Sequence, residues 1–484
     1  MSALVALSIA SEIYPLIKTG GLADVAGALP AALAREDIAM RTLIPGYPAV
    51  LAKLDGAEPA HVYPALFGGP ARILAGRAAG LDLFVLDAPH LYERSGNPYL
   101  GPDGADWNDN PHRFAALARV GADVAKGAIG GYAPTVVHAH DWQAALTPAY
   151  LHYDGGGRPG TMLTIHNMAF QGHYPAALLG ALGLPPQALS IDGVEYFGGV
   201  GFLKAGLQFA DRITTVSPTY AREIMTPAFG MALDGLLRAR ANVVEGIVNG
   251  IDDMVWNPAT DPNLVQNYSA LRIDMRPRNK AALQQRFGLT TSYEAPLFGV
   301  VSRLTSQKGL DLLLAALPSL LDKGGQLAVL GSGEKALQDG FATAARAYNG
   351  AVGCVFAYDE ALAHLMQAGL DFILVPSRFE PCGLTQLYGL RYGATPIVAH
   401  VGGLADTIID ANDAAIGAGV ATGLQFSPPD VGALHYALDR AFGFYRDVAA
   451  MRRMRLNGMR ADVSWRAPAK RYAAIYRALS RSAA

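Results

Sequence analysis

The sequence predicts an α/β protein built from two doubly wound, Rossmann-like domains, and three observations point there. Short apolar runs alternate with helical segments, the pattern of a parallel sheet covered on both faces. The alternation runs through once, pauses in an irregular polar stretch after residue 247, and resumes at residue 297. The strand-like runs end in polar or glycine-rich residues, and open α/β sheets bind ligands beyond the carboxyl ends of their strands.

A chain of 484 residues exceeds one ordinary core, so two or three domains are expected. Hydrophobic residues make up 51% and charged residues 17%, which describes a globular chain and excludes a disordered one. Lys and Arg (39) nearly balance Asp and Glu (41), so no nucleic acid or membrane-surface partner is indicated. The two cysteines, Cys354 and Cys382, suggest neither a disulfide framework nor a zinc site, and a reducing cytoplasm fits them best. The opening run 3–10 lacks a basic segment before it and reads as a strand, not a secretory signal. No apolar run is long enough to span a bilayer.

Taken in order, the first strand leads through Lys18-Thr-Gly-Gly-Leu22 into a helix over 22–33, with Asp24 suiting its first turn and Pro30 expected to kink it. Strands follow at 38–44, 81–86, 135–139, 161–165 and 212–216, with helices at 112–126 and 201–210 between them. The second cycle gives strands at 297–301, 326–330, 352–356, 372–375 and 395–399, and helices at 310–321, 361–368 and 384–392. The arginine-rich tail 452–481 reads as helical and amphipathic, its basic residues solvating an outer face. The domain boundary falls near Ile247.

Several strand ends carry chemistry. The Lys18 loop sets a cation beside the bare backbone of Gly20 and Gly21, which a phosphate can approach; alone it reads equally as an ordinary glycine turn. Arg303 and Lys308 flank a short strand-to-helix loop, where both heads can converge on one anion, or stand as surface cations. In Ser377-Arg-Phe-Glu-Pro-Cys-Gly-Leu-Thr-Gln386, Pro381 keeps Glu380 out of helical conformation while Gly383, Leu384 and Thr385 open a helix with free N–H groups. Cys382 is better read as a small buried residue than as a nucleophile. His138 and His140 have a spacing that could serve a metal, but no third ligand is evident. Asp141 and His166, at two strand ends, are better read as hydrogen-bonding a sugar, with a satisfied imidazole the plain alternative for His166.

These stretches, with Thr164-Ile-His-Asn167 and Val248-Asn-Gly-Ile-Asp252, together resemble the bacterial glycogen synthase and plant starch synthase family, in its order and over almost the whole chain. The resemblance implies a GT-B fold: residues 1–247 with a returning C-terminal helix 461–484 form one domain, and 248–460 the nucleotide-sugar domain. It also implies retaining transfer of glucose from ADP-glucose to the non-reducing end of an α-1,4-glucan, with no cofactor or metal. Position by position, Lys18, Gly20 and Gly21 meet the donor's phosphates and glucose, and Arg303 and Lys308 hold the diphosphate. His166, Asp141 and Asn249 contact the transferred glucose; Glu380 lies near sugar or ribose, with Cys382, Gly383, Leu384 and Thr385 beside it. One departure matters: related retaining transferases often carry a second glutamate eight residues after the first, and this chain has Tyr388 there.

Rival readings are another GT-B transferase with a different nucleotide or acceptor, a phosphorylase carrying pyridoxal phosphate on a lysine, and an inactive glucan-binding protein on the same scaffold.

Overall fold

The computed structural model describes residues 4–482. Its residues divide into two compact units, one of those up to 249 together with those from 465 onward, and one of residues 250–464. Ala3, expected in the first strand, lies outside the described residues.

In the first unit the strands are β1 (Leu4–Ile9), β2 (Ile38–Pro45), β3 (Asp55–Leu66), β4 (Gly69–Ala78), β5 (Leu81–Asp87), β6 (Val136–His140), β7 (Gly160–Ile165), β8 (His173–Pro175), β9 (Glu195–Tyr196), β10 (Gly199–Gly201), β11 (Arg212–Thr215) and β12 (Val244–Gly246). Nine of them form one sheet in the order β12-β11-β7-β6-β1-β2-β5-β4-β3. The pairs from β12 to β5 are parallel. The β3–β4–β5 end is antiparallel. That hairpin is absent from the sequence expectation, for a physical reason: β3 is mostly exposed, contains Pro59 and Pro64, and occupies the sheet edge where proline is tolerated.

Central strands are apolar because both faces are covered, as in β7, where all six residues are buried. Helices Gly21–Ala34 and Asn110–Ala125 supply much of the cover. The first of these runs unbroken through Pro30, and burial of Leu22, Val25, Ala26, Leu29 and Leu33 supports it there.

The tail is helical, as expected, and forms two helices, Val448–Arg460 and Arg466–Ser482. The second belongs to the first unit, where Tyr472, Ala473 and Tyr476 are fully buried. Arg452, Arg453, Lys470 and Arg477 face outward, as expected. Arg455 does not: its guanidinium donates to buried Asp371 at 2.6 Å.

The second unit has one parallel sheet of β13 (Leu297–Val301), β14 (Gln326–Leu330), β15 (Val352–Val355), β16 (Phe372–Val375), β17 (Thr395–Ala399) and β18 (Leu424–Phe426). Its order is β15-β14-β13-β16-β17-β18. Numbered from β13, this is 3-2-1-4-5-6, a doubly wound sheet whose order reverses between β13 and β16. In the first unit the order reverses between β1 and β6. Loops leaving two adjacent strands toward opposite faces open a crevice there, so residues after β1, β6, β13 and β16 are the ones positioned to bind. No described helix is long and apolar enough to cross a membrane.

Candidate active site

In the second unit, the loop after β13 passes through a single 3-10 turn, Ser306–Lys308, to Gly309, where the helix Leu310–Asp322 begins. Gly309 has φ +66°, and a Cβ there would lie 1.9 Å from the carbonyl oxygen of Pro376. Only glycine lets the loops after β13 and β16 come this close. Arg378 clamps the same two loops: its backbone N–H donates to Gln307 O at 2.9 Å and its guanidinium grips Asp311 through two 2.7 Å bonds.

The clamp brings Lys308 and Glu380 together. The ammonium of Lys308 donates to Oε2 of Glu380 at 2.6 Å, and the hydroxyl of Ser377 donates to the same oxygen at 2.9 Å. The pair borders a pocket of about 60 Å³ whose lining includes Ser302, Gly383, Leu384 and Thr385. Gly383, at φ +73°, turns the chain into the helix Thr385–Tyr392. Arg303, on the same loop as Lys308, is exposed and makes no ion pair among the described residues. Cys382 is buried and does not line the pocket, unlike the Gly383–Thr385 turn that follows it. Tyr388, in the place of the second glutamate, stacks on Trp256 at 3.6 Å between ring centroids, and Trp256 stacks in turn on His364 at 3.7 Å. An aromatic stack therefore occupies the position of Tyr388, and no carboxylate stands there.

In the first unit, the loop after β1 is organised by a residue the sequence reading passed over. Glu12, only 3% exposed, accepts hydrogen bonds from the backbone N–H of Thr19, from the Thr19 hydroxyl at 2.7 Å and from the Tyr99 hydroxyl at 2.5 Å. Burial raises its carboxyl above the usual range, and bonds from Thr19, Tyr99 and the Gly20 backbone oppose that shift. Lys18 pairs with Asp24 at 2.8 Å, and Gly20 and Gly21 face open space, since a Cβ on either would meet nothing within 4 Å. The one advance signal for Glu12 was an acidic residue directly after an apolar strand.

Asp141 follows β6 with φ +56°, a left-handed conformation that a short polar side chain tolerates better than most. It is 5% exposed, and burial lifts its carboxyl well above the ordinary range. The backbone N–H groups of Trp142, Asn167 and His166 counter that shift, which places Asp141 beside the chain leaving β7. Nδ1 of His140 lies 3.1 Å from Nε2 of His166, and burial depresses the His166 imidazole to about 3. His138 is no metal ligand: Nδ1 lies 2.6 Å from the Tyr476 hydroxyl and Nε2 2.6 Å from that of Thr164. Among the described residues no group of three or more His, Cys, Asp or Glu could hold a metal ion. Asn249 is buried just beyond β12, at the sheet edge, and shares no hydrogen bond with Asp141 or His166.

Two doubly wound units with polar clusters at their switch points define a GT-B glycosyltransferase, and comparison with known proteins agrees. Residues 6–239 match the family model described as starch synthase catalytic domain, and residues 283–445 that of glycosyl transferases group 1. A glycogen synthase of Methylocella silvestris is 62% identical over 481 residues, covering 99% of this chain and 100% of the relative. One from Rhodopseudomonas palustris strain BisB18 is 60% identical over 479 residues, covering 99% and 98%. The solved catalytic domain of starch synthase IV from Arabidopsis thaliana, bound to ADP and acarbose, superposes with a TM-score of 0.90 at 32% identity, covering 99% of this chain and 100% of that one. Sucrose-phosphate synthase of Thermosynechococcus elongatus, at TM-score 0.58 and 18% identity over 99% of each chain, shares the fold. The chain belongs to the glycogen synthase and starch synthase family of glycosyltransferases.

Proposed function

We propose that this chain extends an α-1,4-glucan: it transfers glucose from ADP-glucose to the 4-hydroxyl at the non-reducing end, with retention at the anomeric carbon and release of ADP. The observation that carries this reading is the meeting of Lys308, Glu380 and the Gly383–Thr385 turn on one pocket at the switch point of the second unit, in a chain 62% identical to a glycogen synthase. A cation and open helix N–H groups suit a diphosphate, while a carboxylate suits ribose or sugar hydroxyls.

In this reading Arg303 and Lys308 hold the diphosphate, and Glu380 both orients Lys308 and accepts from a hydroxyl. Gly383, Leu384 and Thr385 frame the pocket, with Cys382 next to them in the chain. Lys18, Gly20 and Gly21 contact the donor's phosphates and glucose, and Asp141, His166 and Asn249 contact the transferred glucose. The bond from the anomeric carbon to the phosphate oxygen breaks as the acceptor oxygen bonds to that carbon. The acceptor's proton passes to the departing phosphate oxygen, and the cations stabilise the charge that develops there. Every step uses the chain's own residues and its two substrates, so neither cofactor nor metal is required. Two free cysteines and no disulfide among the described residues suit a reducing, cytoplasmic site of action.

A coupled assay of ADP release from ADP-glucose and glycogen, with EDTA present, tests the reading. Release that requires both substrates and survives chelation is expected. Glycogen binding without ADP release overturns it in favour of an inactive glucan-binding protein, and turnover confined to UDP-glucose overturns the donor.

A further inference from the structure

His140 is fully buried one residue before Asp141, and the chemistry proposed above gives it no part. Its surroundings are unusually defined. In the β6–β7 ladder His140 pairs with Thr164 and His138 with Met162. Residues 138 and 140 share one face of β6, as 164 and 166 share one side of the neighbouring chain. The result is two stepped contacts: His138 to the Thr164 hydroxyl at 2.6 Å, and His140 to His166 at 3.1 Å.

The His138 ring lies against that of His140, with centroids 3.9 Å apart. Both nitrogens of His138 are engaged, one by Tyr476 of the C-terminal helix, so it forms a fixed wall that holds the His140 ring in place.

Burial keeps His140 and His166 neutral, so a single N–H lies between the two rings. Its owner follows from the far side of His140. There Nε2 is fully enclosed and has no hydrogen-bond partner among the described residues. Were His166 the donor, His140 would carry its own hydrogen on Nε2, an orphaned buried N–H. With His140 as donor, only a lone pair is left unmet, which is the less costly of the two.

We propose that His140 is a positioning residue for the transfer reaction: its Nδ1–H donates to Nε2 of His166 and fixes His166 as the Nδ1–H tautomer. The remaining nitrogen of His166, Nδ1, has no hydrogen-bond partner among the described residues, and His166 is not fully enclosed. It then presents an N–H to a sugar hydroxyl or ring oxygen, and never a bare lone pair. This inference rests on the transferase reading for its kinetic consequence, but the tautomer is independent of it.

The test has two arms. Long-range 15N–1H correlation of protein labelled on its histidine ring nitrogens, with the His166 signals assigned by their loss in His166→Gln, reads the tautomer in the wild type without substrate. An unprotonated Nε2 on His166 is expected, and a protonated Nε2 overturns the proposal. In the kinetic arm, His140→Ala should lower kcat about 100-fold through misplacement of His166, with KM for ADP-glucose changed less than about threefold. His140→Asn, whose amide N–H sits where Nδ1 was, should recover most of the loss, while His140→Gln, which places it one atom further out, should not. Equal losses in the Asn, Gln and Ala variants overturn the proposal. An inactive wild type with the expected tautomer falls on the transferase reading instead.

Discussion

The ammonium of Lys308 and the carboxylate of Glu380 form a 2.6 Å ion pair in which the two side chains are 18% and 9% exposed. A pair this enclosed ties function to stability, because removing one partner leaves the other charge buried and uncompensated. Lys308→Ala should therefore lower turnover about 100- to 1000-fold by removing a preorganised cation, and destabilise the protein by about 3 kcal/mol through the orphaned Glu380. Arg303→Ala should show a similar loss of turnover with stability within about 0.5 kcal/mol, since Arg303 is exposed and has no ion pair to break. Steady-state kinetics and urea unfolding of both variants check this. Turnover within threefold of wild type for both would sink the diphosphate assignment.

The Lys18 loop gives a second separation of effects. Lys18 and Asp24 are a surface pair, 28% and 20% exposed, so Lys18→Ala should cost less than about 1 kcal/mol of stability. Glu12 is the deeper anchor, gathering Thr19 and Tyr99 onto one carboxylate. Glu12→Ala should free the loop and raise KM for ADP-glucose while Lys18 itself is still present. Binding of ADP-glucose by calorimetry to the two variants decides it; unchanged affinity in both would remove the loop from the donor site.

Much of this was legible in the sequence because fully buried strands are short apolar runs bounded by polar residues. Leu297–Val301, Gln326–Leu330, Phe372–Val375 and Thr395–Ala399 were readable to the residue for that reason. The exposed strand β3, with the β4 it pairs with, and the amphipathic helix Lys335–Ala347 were not, since β3 has prolines and little buried surface and the helix buries only Leu337, Phe341 and Ala344. Of the residues proposed for the site, Arg303, Lys308, Glu380 and Asp141 stood out in the sequence because they follow apolar strands. The pairing of His140 with His166 depends on the β6–β7 register between segments 26 residues apart, and the task of Glu12 on a turn seven residues ahead. Neither register nor turn geometry is written in a local pattern.

The buried histidines predict a pH dependence of stability. His138 is held down to about 3 by burial, with the nearby His166 adding to the shift. Unfolded, it takes up a proton near its ordinary value of 6.5, and folded it does not until about 3. The unfolded state thus binds more protons between these values, and stability falls as pH drops through the window, by up to about 1.4 kcal/mol per pH unit. Glu12 and Asp141, with raised carboxyls, act in the opposite sense, so the comparison must be with a variant. His138→Gln should flatten the slope of unfolding free energy between pH 6.5 and 4.5 relative to the wild type. Parallel slopes in the two proteins would contradict a neutral His138.

Asp141 separates strain, burial and substrate contact in one position. Its φ of +56° suits asparagine but penalises alanine, by roughly 1 kcal/mol. Its carboxyl is raised well above the usual range by burial, so ionising it opposes folding, and that penalty grows as pH rises above the ordinary carboxylate value of about 4. Asp141→Asn keeps an oxygen for the backbone N–H groups and removes the charge. It should match the wild type near pH 4 and exceed it in thermal stability by a margin that widens toward pH 8, while Asp141→Ala should be the least stable of the three. If Asp141 accepts a hydrogen bond from the transferred glucose, the alanine variant loses about 10- to 100-fold in kcat/KM and the asparagine variant less, in proportion to one neutral acceptor retained. Thermal melts across that pH range, paired with kinetics at one pH, carry both halves of the prediction. A stability gap that stays constant with pH would show that the carboxyl is not shifted, whatever the kinetics say.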